Sequence, residues 1–485
     1  MLPSKWDKEA DVVVIGSGCG CTAAIAAANL GASVIILEKA GIIGGTVLMA
    51  AGGVAAAGTP VQRELGIQDS PEDYYDFLSK VGGIETDPEL LRVYVDRNLD
   101  MFNWFTDYFG IQFPAVLLNK NAMYHPGLSD NSVSDLLTQE TGYPKQPPRS
   151  HWAAGAHGKE FIDPFKNKIK ELGIEVLLNT QLKEFVFDYE NNEVLGVKAE
   201  QAGAPYYVRA KKGVVVATGG AGFNLNLVQN LKGVYPVVKE RTNVLRTPFI
   251  TGDGIVAGMK IGAWFPGGVD ITVESLPIPL VMGKGPLMFD VWETLPRVNV
   301  NKLGKRYVNE TWYMGSQGDI QLLQPDRKAW VIFDETGRAS VGWDPVERNL
   351  FVGNTIGEIA EKIGIPSAAV QETVNQYNQY VDSGVDLEFG RHKEFLSSFK
   401  KLETAPFYAT ELLHGYVGGY GPGLRINTKS QVINVEKQPI KRLYACGADS
   451  TGCLPSRYPC CGSSLMTGFT FGRIAGENVV TEQPW

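Results

Sequence analysis

The chain has 485 residues, 44% hydrophobic and 20% charged, with a net charge of −8. That length exceeds one ordinary core and predicts two lobes. The acidic balance without a basic run excludes a nucleic-acid partner from the expectation, no run of roughly 18 apolar residues offers a membrane span, and the histidines lack metal-ligand spacing.

Residues 1–10 contain neither an apolar core nor a twin arginine, so no export signal is expected and the chain is read as cytoplasmic. The first element is Asp11-Val12-Val13-Val14-Ile15, an apolar strand emptying into Gly16-Ser17-Gly18-Cys19-Gly20 and a helix of small residues from Cys21 to Leu30. A second apolar strand ends on Glu38, 22 residues after Gly16. Strand, glycine turn, helix, strand and acid make the first unit of a dinucleotide-binding domain. Gly16 permits the tight turn, and Gly18 lets backbone approach a pyrophosphate at the positive end of the helix. Glu38 is placed to hydrogen-bond ribose hydroxyls. The third glycine position of the fingerprint holds Cys21, with Gly20 beside it; cysteine is small enough for close helix–strand packing.

From Gly44-Gly45-Thr46 through Gly52-Gly53 to Ala56 the chain is rich in glycine and alanine. Such a stretch either brings backbone against a flat ligand or is a tightly packed loop. Residues 71–109 carry apolar positions three and four apart (Tyr75, Phe77, Leu78; Leu91, Val93, Tyr94; Leu99, Phe102, Phe105) and predict helix. Proline and glycine then break the pattern, and 110–158 reads as a long surface loop. A helix over 158–172 precedes strands at 174–178, 182–187 and 194–199. The apolar run Gly213-Val214-Val215-Val216 then enters Ala217-Thr218-Gly219-Gly220, and a similar element, Leu443-Tyr444-Ala445-Cys446-Gly447-Ala448-Asp449, recurs near the end. Two such strands far apart in sequence fit one sheet interrupted by an insertion. The insertion is predicted over 264–413, with helix from Ile356 to Tyr380, and a last helix over 464–480 returns to the first domain.

The six cysteines form no disulfide framework. Cys19 and Cys21 lie inside the glycine turn, where a zinc ion would clash with phosphate. Cys460 and Cys461 are adjacent in a glycine-rich loop, either as small residues in a tight place or as a redox-active pair. No Cys-x-x-Cys-His for a c-type haem is present.

Taken in order, Gly16-x-Gly18, Glu38, Gly44-Gly45-Thr46, Ala217-Thr218-Gly219-Gly220, Thr251-Gly252-Asp253-Gly254, the tract from Asn301 through Lys305-Arg306-Tyr307-Val308-Asn309-Glu310, Leu443 to Gly447 and Phe471-Gly472-Arg473-Ile474-Ala475-Gly476 resemble the flavoprotein superfamily of fumarate reductases and 3-ketosteroid dehydrogenases. The resemblance covers nearly the whole chain. It implies an α/β fold: a Rossmann-like, glutathione-reductase-type FAD-binding domain (1–263 and 414–485) with an inserted α+β capping domain (264–413). It also implies non-covalent FAD, with substrate at the cap interface against flavin N5. The residues implied to hold FAD are Gly16, Gly18, Gly20, Glu38, Gly44, Gly45, Thr46, Gly52, Gly53, Ala217, Thr218, Gly219, Asp253, Gly447, Asp449, Ser463, Ser464 and Leu465. With no second dinucleotide fingerprint and no flavin-carrier domain in this sequence, an external electron donor or acceptor is implied.

Three departures sort the branches. The arginine that delivers a proton in fumarate reductases falls at Met314, with Tyr313 just before it, and the histidine that grips a dicarboxylate falls near Gly418 and Gly419. A dianion needs charge-assisted donors, so fumarate and succinate are not expected substrates. Many relatives place glutamate where Ala448 stands, leaving Asp449 or backbone groups to hold the ribityl chain. Conversely, Tyr458-Pro459-Cys460-Cys461-Gly462-Ser463-Ser464-Leu465 with Thr470-Phe471-Gly472 is similar to the ketosteroid dehydrogenase loop. In that branch the tyrosine hydroxyl and the glycine N–H polarise a substrate ketone and a cap tyrosine handles the proton, which implies Tyr458, Gly462 and Tyr313 as catalytic residues. The expected function is hydride transfer between flavin and a polycyclic, mostly apolar substrate such as a 3-ketosteroid, in a cap whose aromatics include Trp264, Phe265, Phe289, Trp292 and Trp312. The alternatives are a reductase of isoflavonoid-type phenolics such as tetrahydrodaidzein and a non-catalytic flavin redox sensor.

Overall fold

The computed structural model describes residues 2–81, 86–117, 127–129, 143–224, 227, 243–244, 247–266, 273–277, 295–311, 314–342, 344–346, 349–391, 399–416, 423–454 and 458–485. An eight-stranded sheet organises the first lobe. Its centre is the apolar strand Lys8–Ile15, parallel to Val34–Leu37 on one side and to the end of the long strand Ala204–Val216 on the other, with Val14 opposite Ile36 and Val215. Glu175–Leu177 extends the sheet beyond Val34–Leu37, and Pro439–Ala445 beyond Val216, Tyr444 facing Val215. Four central strand residues, Val12 to Val14 and Ile36, have no solvent exposure, as a strand covered on both faces requires.

The expected joining of two distant glycine-ended strands is therefore seen directly: Ala445 lies beside Val216. The long strand has a second role. Its first half pairs antiparallel with Glu193–Gln201, which pairs in turn with Thr180–Asp188, so the parallel sheet grows an antiparallel extension.

The helices Gly20–Asn29 and Ser463–Val479 lie against each other on this sheet. Contact is close because Gly468, Gly472 and Gly476 recur every fourth residue along one stripe. A Cβ at Gly472 would overlap the Thr22 hydroxyl, and one at Gly476 the Ala23 carbonyl. Thr22 uses that proximity to donate to the Phe469 carbonyl at 3.1 Å. Both helices thus start at the same end of the sheet.

A second, six-stranded sheet draws on Asn243–Val244, Val273–Pro277, Val298–Asn301, Ala329–Asp334, Phe351–Gly353 and Phe407–Tyr416. Its core includes Val298, Val300, Ile332, Ile359, Val370 and Val374. The predicted single helix over 356–380 is two helices, Ile356–Ile363 and Ser367–Ser383. Gly364 takes a left-handed conformation (φ 72°) and Pro366 precedes the second helix, so the register breaks where no helix can continue. Two charged residues of the Asn301–Glu310 tract, Arg306 and Glu310, are internal, while Lys302 and Lys305 are exposed. Arg306 grips both oxygens of Glu310 at 2.9 and 2.7 Å and meets Asp386 at 2.6 Å, while Arg391 lies 3.2 Å from Glu310. Burial opposes the charged Glu310, yet Arg306 and Arg391 outweigh it and hold its pKa below the ordinary carboxylate value.

One expectation fails in the first lobe. Residues 110–158 are not all surface loop: Ser150–Trp152 is a buried strand between Gly53–Ala55 and Gly127–Ser129. Three residues give no periodicity to read, and the polar Ser150 and His151 are buried only because their hydrogen bonds are made inside.

Candidate active site

The turn after the first strand is built on glycine for a steric reason. Gly16 has φ 97°, and a Cβ there would overlap the Ala217 carbonyl of the adjacent strand. Ser17 points inward, its hydroxyl 2.5 Å and its N–H 3.0 Å from one oxygen of Glu38. The Gly44 N–H donates to the Ser17 hydroxyl at 2.9 Å, and the second Glu38 oxygen accepts the Ala40 N–H at 2.7 Å. Glu38, 5% exposed, ties the Gly16 turn to the loop that follows it and still lines the cavity they surround. A carboxylate offers about four acceptor positions, so one remains after these bonds for a ribose hydroxyl.

This cleft, with the open solvent at its mouth, spans about 910 Å³ of empty space and runs from the Gly16 turn to the start of the C-terminal helix. Of the sequence-implied FAD residues, Gly16, Gly18, Glu38, Gly45, Thr46, Ala217, Thr218, Gly219, Asp253, Gly447, Ser464 and Leu465 line it. Its chemistry fits a dinucleotide. The Thr46 hydroxyl is buried without a hydrogen-bond partner, a loss that a ligand oxygen would repair. Cys19, at the N-cap of Gly20–Asn29, makes no side-chain capping bond, so the helix start is open to an anion. Gly18 has no backbone need for glycine; its missing side chain leaves space in the cavity, 3.3 Å from Val47. When bound, FAD supplies the two-electron hydride acceptor or donor.

The remaining implied FAD residues lie off the cavity and shape it. Gly20 takes the close helix–strand contact, its position leaving a Cβ only 2.9 Å from Val14, while Cys21 beside it donates its thiol to the Ser17 carbonyl at 2.8 Å. Gly44 and Gly52 have positive φ, Gly53 packs on the Trp152 ring, and Ser463 is fully buried. Asp449, implied with backbone groups for the ribityl chain, is bound within the protein. Its carboxylate accepts the Thr218 hydroxyl at 2.9 Å and the Gly219 N–H at 3.0 Å, fastening two glycine turns to each other. Burial pushes its pKa up to about 6 against the pull of those donors.

Lining residues that the motifs did not reveal include Lys39, Thr180, Leu182, Thr247, Phe249 and Ile250. Lys39 follows Glu38 and reaches across to Thr251 (2.6 Å) and Asp253 (3.1 Å), where Gln181 also donates at 2.9 Å. Asp253, one of the implied FAD residues, thus closes one end of the cavity through a partly buried ion pair. Nothing local in the sequence signals that pairing, since its partners are 214 residues apart.

At the other end stands the loop before the C-terminal helix. Gly462 is the N-cap of Ser463–Val479, with φ 88° and no side-chain cap. A Cβ there would lie 2.6 Å from the Val54 backbone, so the loop seats directly on the strand Gly53–Ala55 and glycine is required by the protein itself. The Tyr458 hydroxyl accepts the Ser464 N–H at 3.2 Å, which sets the phenol at the positive end of this helix beside the cavity-lining Ser464 and Leu465. Cys460 is buried with its thiol 3.1 Å from the Ser463 hydroxyl and 3.8 Å from that of Tyr74, and burial raises its pKa. That environment favours an unreactive thiol over a nucleophilic thiolate. Burial likewise pushes the Cys19 thiol up to about 12. Among the described residues no group of three or more His, Cys, Asp or Glu is arranged to hold a metal, and no helix is long and apolar enough to cross a membrane. Tyr313, Trp312, Phe289, Trp292, Gly418 and Gly419 lie outside the described residues.

Comparison with known proteins agrees with this geometry. The model of the FAD binding domain family matches residues 11–465. A probable fumarate reductase, Ifc3, of Shewanella frigidimarina is 30% identical over 96% of this chain and 74% of its own. A 3-oxosteroid 1-dehydrogenase of Mycolicibacterium smegmatis is 26% identical over 97% of both chains. Among solved structures, the 3-ketosteroid-Δ4-(5α)-dehydrogenase of Rhodococcus jostii RHA1, in complex with 4-androstene-3,17-dione, superposes with a TM-score of 0.80 at 26% identity, covering 98% of both chains. The open conformation of a flavocytochrome c3 fumarate reductase gives 0.76 at 26% identity, covering 99% of this chain and 79% of that one. The chain belongs to the FAD binding domain family that includes fumarate reductases and 3-ketosteroid dehydrogenases, and it is an FAD-dependent oxidoreductase.

Proposed function

We infer that this oxidoreductase transfers a hydride between flavin N5 and a polycyclic, mostly apolar ketone of the 3-ketosteroid type. The observation that carries the reading is the Tyr458 phenol held at the start of the C-terminal helix by the Ser464 N–H, next to residues that line the FAD cavity. Hydride transfer at a carbon conjugated to a ketone builds negative charge on oxygen, and fixed donors aimed there stabilise the transition state. Tyr458 supplies an O–H and Gly462 a backbone N–H. Residues 264–413 serve as the cap over this end, FAD is held non-covalently, and Tyr313 in the cap carries the proton. A phenol with an ordinary pKa of about 10 serves that role as an acid.

Support also comes from the steroid ligand of the Rhodococcus jostii relative and from the resemblance of the Tyr458–Leu465 sequence to the ketosteroid dehydrogenase loop. A dicarboxylate is disfavoured by Met314, Gly418 and Gly419, which offer no charged donor at the positions noted above. Electrons come from or leave to an external partner. The deciding experiment reduces the bound flavin anaerobically and follows its reoxidation with ketosteroids, isoflavonoids and fumarate. Reoxidation by a ketosteroid supports the reading. A response to isoflavonoids alone transfers the site to phenolic substrates, and a response to fumarate alone overturns it.

A further inference from the structure

We propose that Ser150 is a positioning residue for the oxygen-binding end of the substrate pocket, acting through the peptide group that carries the Gly462 N–H. The proposal rests on the reading of Tyr458 and Gly462 given above. Ser150 is fully buried in the strand Ser150–Trp152, 311 residues from its partner, and its hydroxyl donates to the Cys461 carbonyl at 2.8 Å. That carbonyl and the Gly462 N–H belong to one planar trans peptide. They point in opposite directions, so anchoring the oxygen from behind fixes the direction in which the N–H is presented in front. A bond accepted at the oxygen also polarises the amide and strengthens its N–H as a donor.

The support behind the loop is rigid. Ser150 pairs with Ala55 in the same three-stranded sheet whose Val54 backbone lies against Gly462. The preceding residue, Arg149, is held by Asp69 at 2.6 Å in an ion pair with side-chain exposures of 2% and 0%, and its guanidinium lies 4.8 Å from the Tyr74 ring centre. Tyr74 in turn reaches the Cys460 thiol. Steric contact with Val54 holds the position of Gly462, and the Ser150 bond constrains the tilt of its peptide plane. Tyr458 is held separately, by Ser464, so the two donors can be perturbed one at a time.

The test uses FAD-loaded protein and two flat probes, 2-naphthol and 2-methylnaphthalene, which match in size and differ in the oxygen. Their affinities are read from the perturbation of the flavin spectrum in wild type, Ser150→Ala, Ser150→Thr and Tyr458→Phe. Ser150→Ala is expected to weaken 2-naphthol by about five- to tenfold, the scale of one net hydrogen bond, and to leave 2-methylnaphthalene unchanged. The hydroxyl of Ser150→Thr restores the preference, and in Ser150→Ala kcat with the best ketone substrate falls more than KM rises. Equal loss of both probes in Ser150→Ala would mean that the serine only packs the loop, and the proposal fails. If Tyr458→Phe abolishes the preference for 2-naphthol but Ser150→Ala does not alter it, Ser150 has no positioning role and the oxygen-end reading stands. If no variant changes the preference, the oxygen-end reading itself is wrong.

Discussion

The phenol oxygen of Tyr458 and the backbone nitrogen of Ser464 lie 3.2 Å apart, and in that bond the phenol is the acceptor. The helix start makes the hydroxyl a better donor. Tyr458→Phe keeps the ring and removes the donor. Loss of one donor to a developing oxyanion costs about 10²–10³ in rate. Turnover of the preferred ketone should fall by that factor, with FAD content unchanged and the melting temperature within a few degrees. A turnover close to wild type would remove Tyr458 from the chemistry.

Gly18 offers a clean probe of the cofactor site because its backbone conformation is open to any residue. Gly18→Val fills the cavity beside Val47 without forcing the main chain. The purified variant is expected to be colourless with a cooperative melt. Stoichiometric FAD in that variant would show that the pyrophosphate lies elsewhere.

Lys39 and Asp253 close one end of the cavity with side chains 25% and 16% exposed. A partly screened pair of this kind contributes about 1 kcal/mol to stability. Lys39→Met should lower the stability of the protein by about that energy, measured by denaturant melts. Salt should narrow the difference, since wild type loses its ion pair to screening and the variant has none to lose.

His151 makes the fold sensitive to acid. It is fully buried, and desolvation lowers its pKa from 6.5 to about 4. Its Nδ1 faces the Arg149 carbonyl and its Nε2 the Thr59 hydroxyl, each at 2.8 Å, a network that the neutral ring satisfies. The folded state thus binds fewer protons than the unfolded chain between these values. Stability is fully present above pH 6.5, declines as pH falls, and is lost by about 4, a change of about 3 kcal/mol. Asp449, raised to about 6, acts in the opposite sense over the lower part of this window. Comparing denaturant melts of wild type and His151→Gln cancels that contribution. The difference between them should shrink from pH 7 to pH 4; a constant difference would mean that the imidazole does not titrate on unfolding.

The proton transfer proposed for Tyr313 is a separate matter from ketone polarisation. Tyr313→Phe should slow hydride transfer by at least ten-fold, within the range typical of general acid catalysis, without altering FAD content. Rates within a few-fold of wild type would assign the residue to packing.

The dinucleotide turn was legible in the sequence because its chemistry is local. Gly16, Gly18 and Glu38 sit at fixed offsets along one strand–helix–strand unit, where spacing alone sets geometry. The rejoining of the sheet by the strand ending at Ala445 was legible for a related reason, since an apolar run followed by a glycine turn looks the same wherever it occurs. Tertiary structure decided what depends on partners far apart in the chain. Asp449 fastens Thr218 and Gly219; Lys39 meets Asp253; and Ser150 sits behind the Cys461 carbonyl. Glycine at 462 is demanded by the Val54 backbone, a contact with no sequence signature. Local patterns report backbone conformation and which face is buried, whereas the direction of a buried polar group is set by whichever donor or acceptor the completed fold brings opposite it.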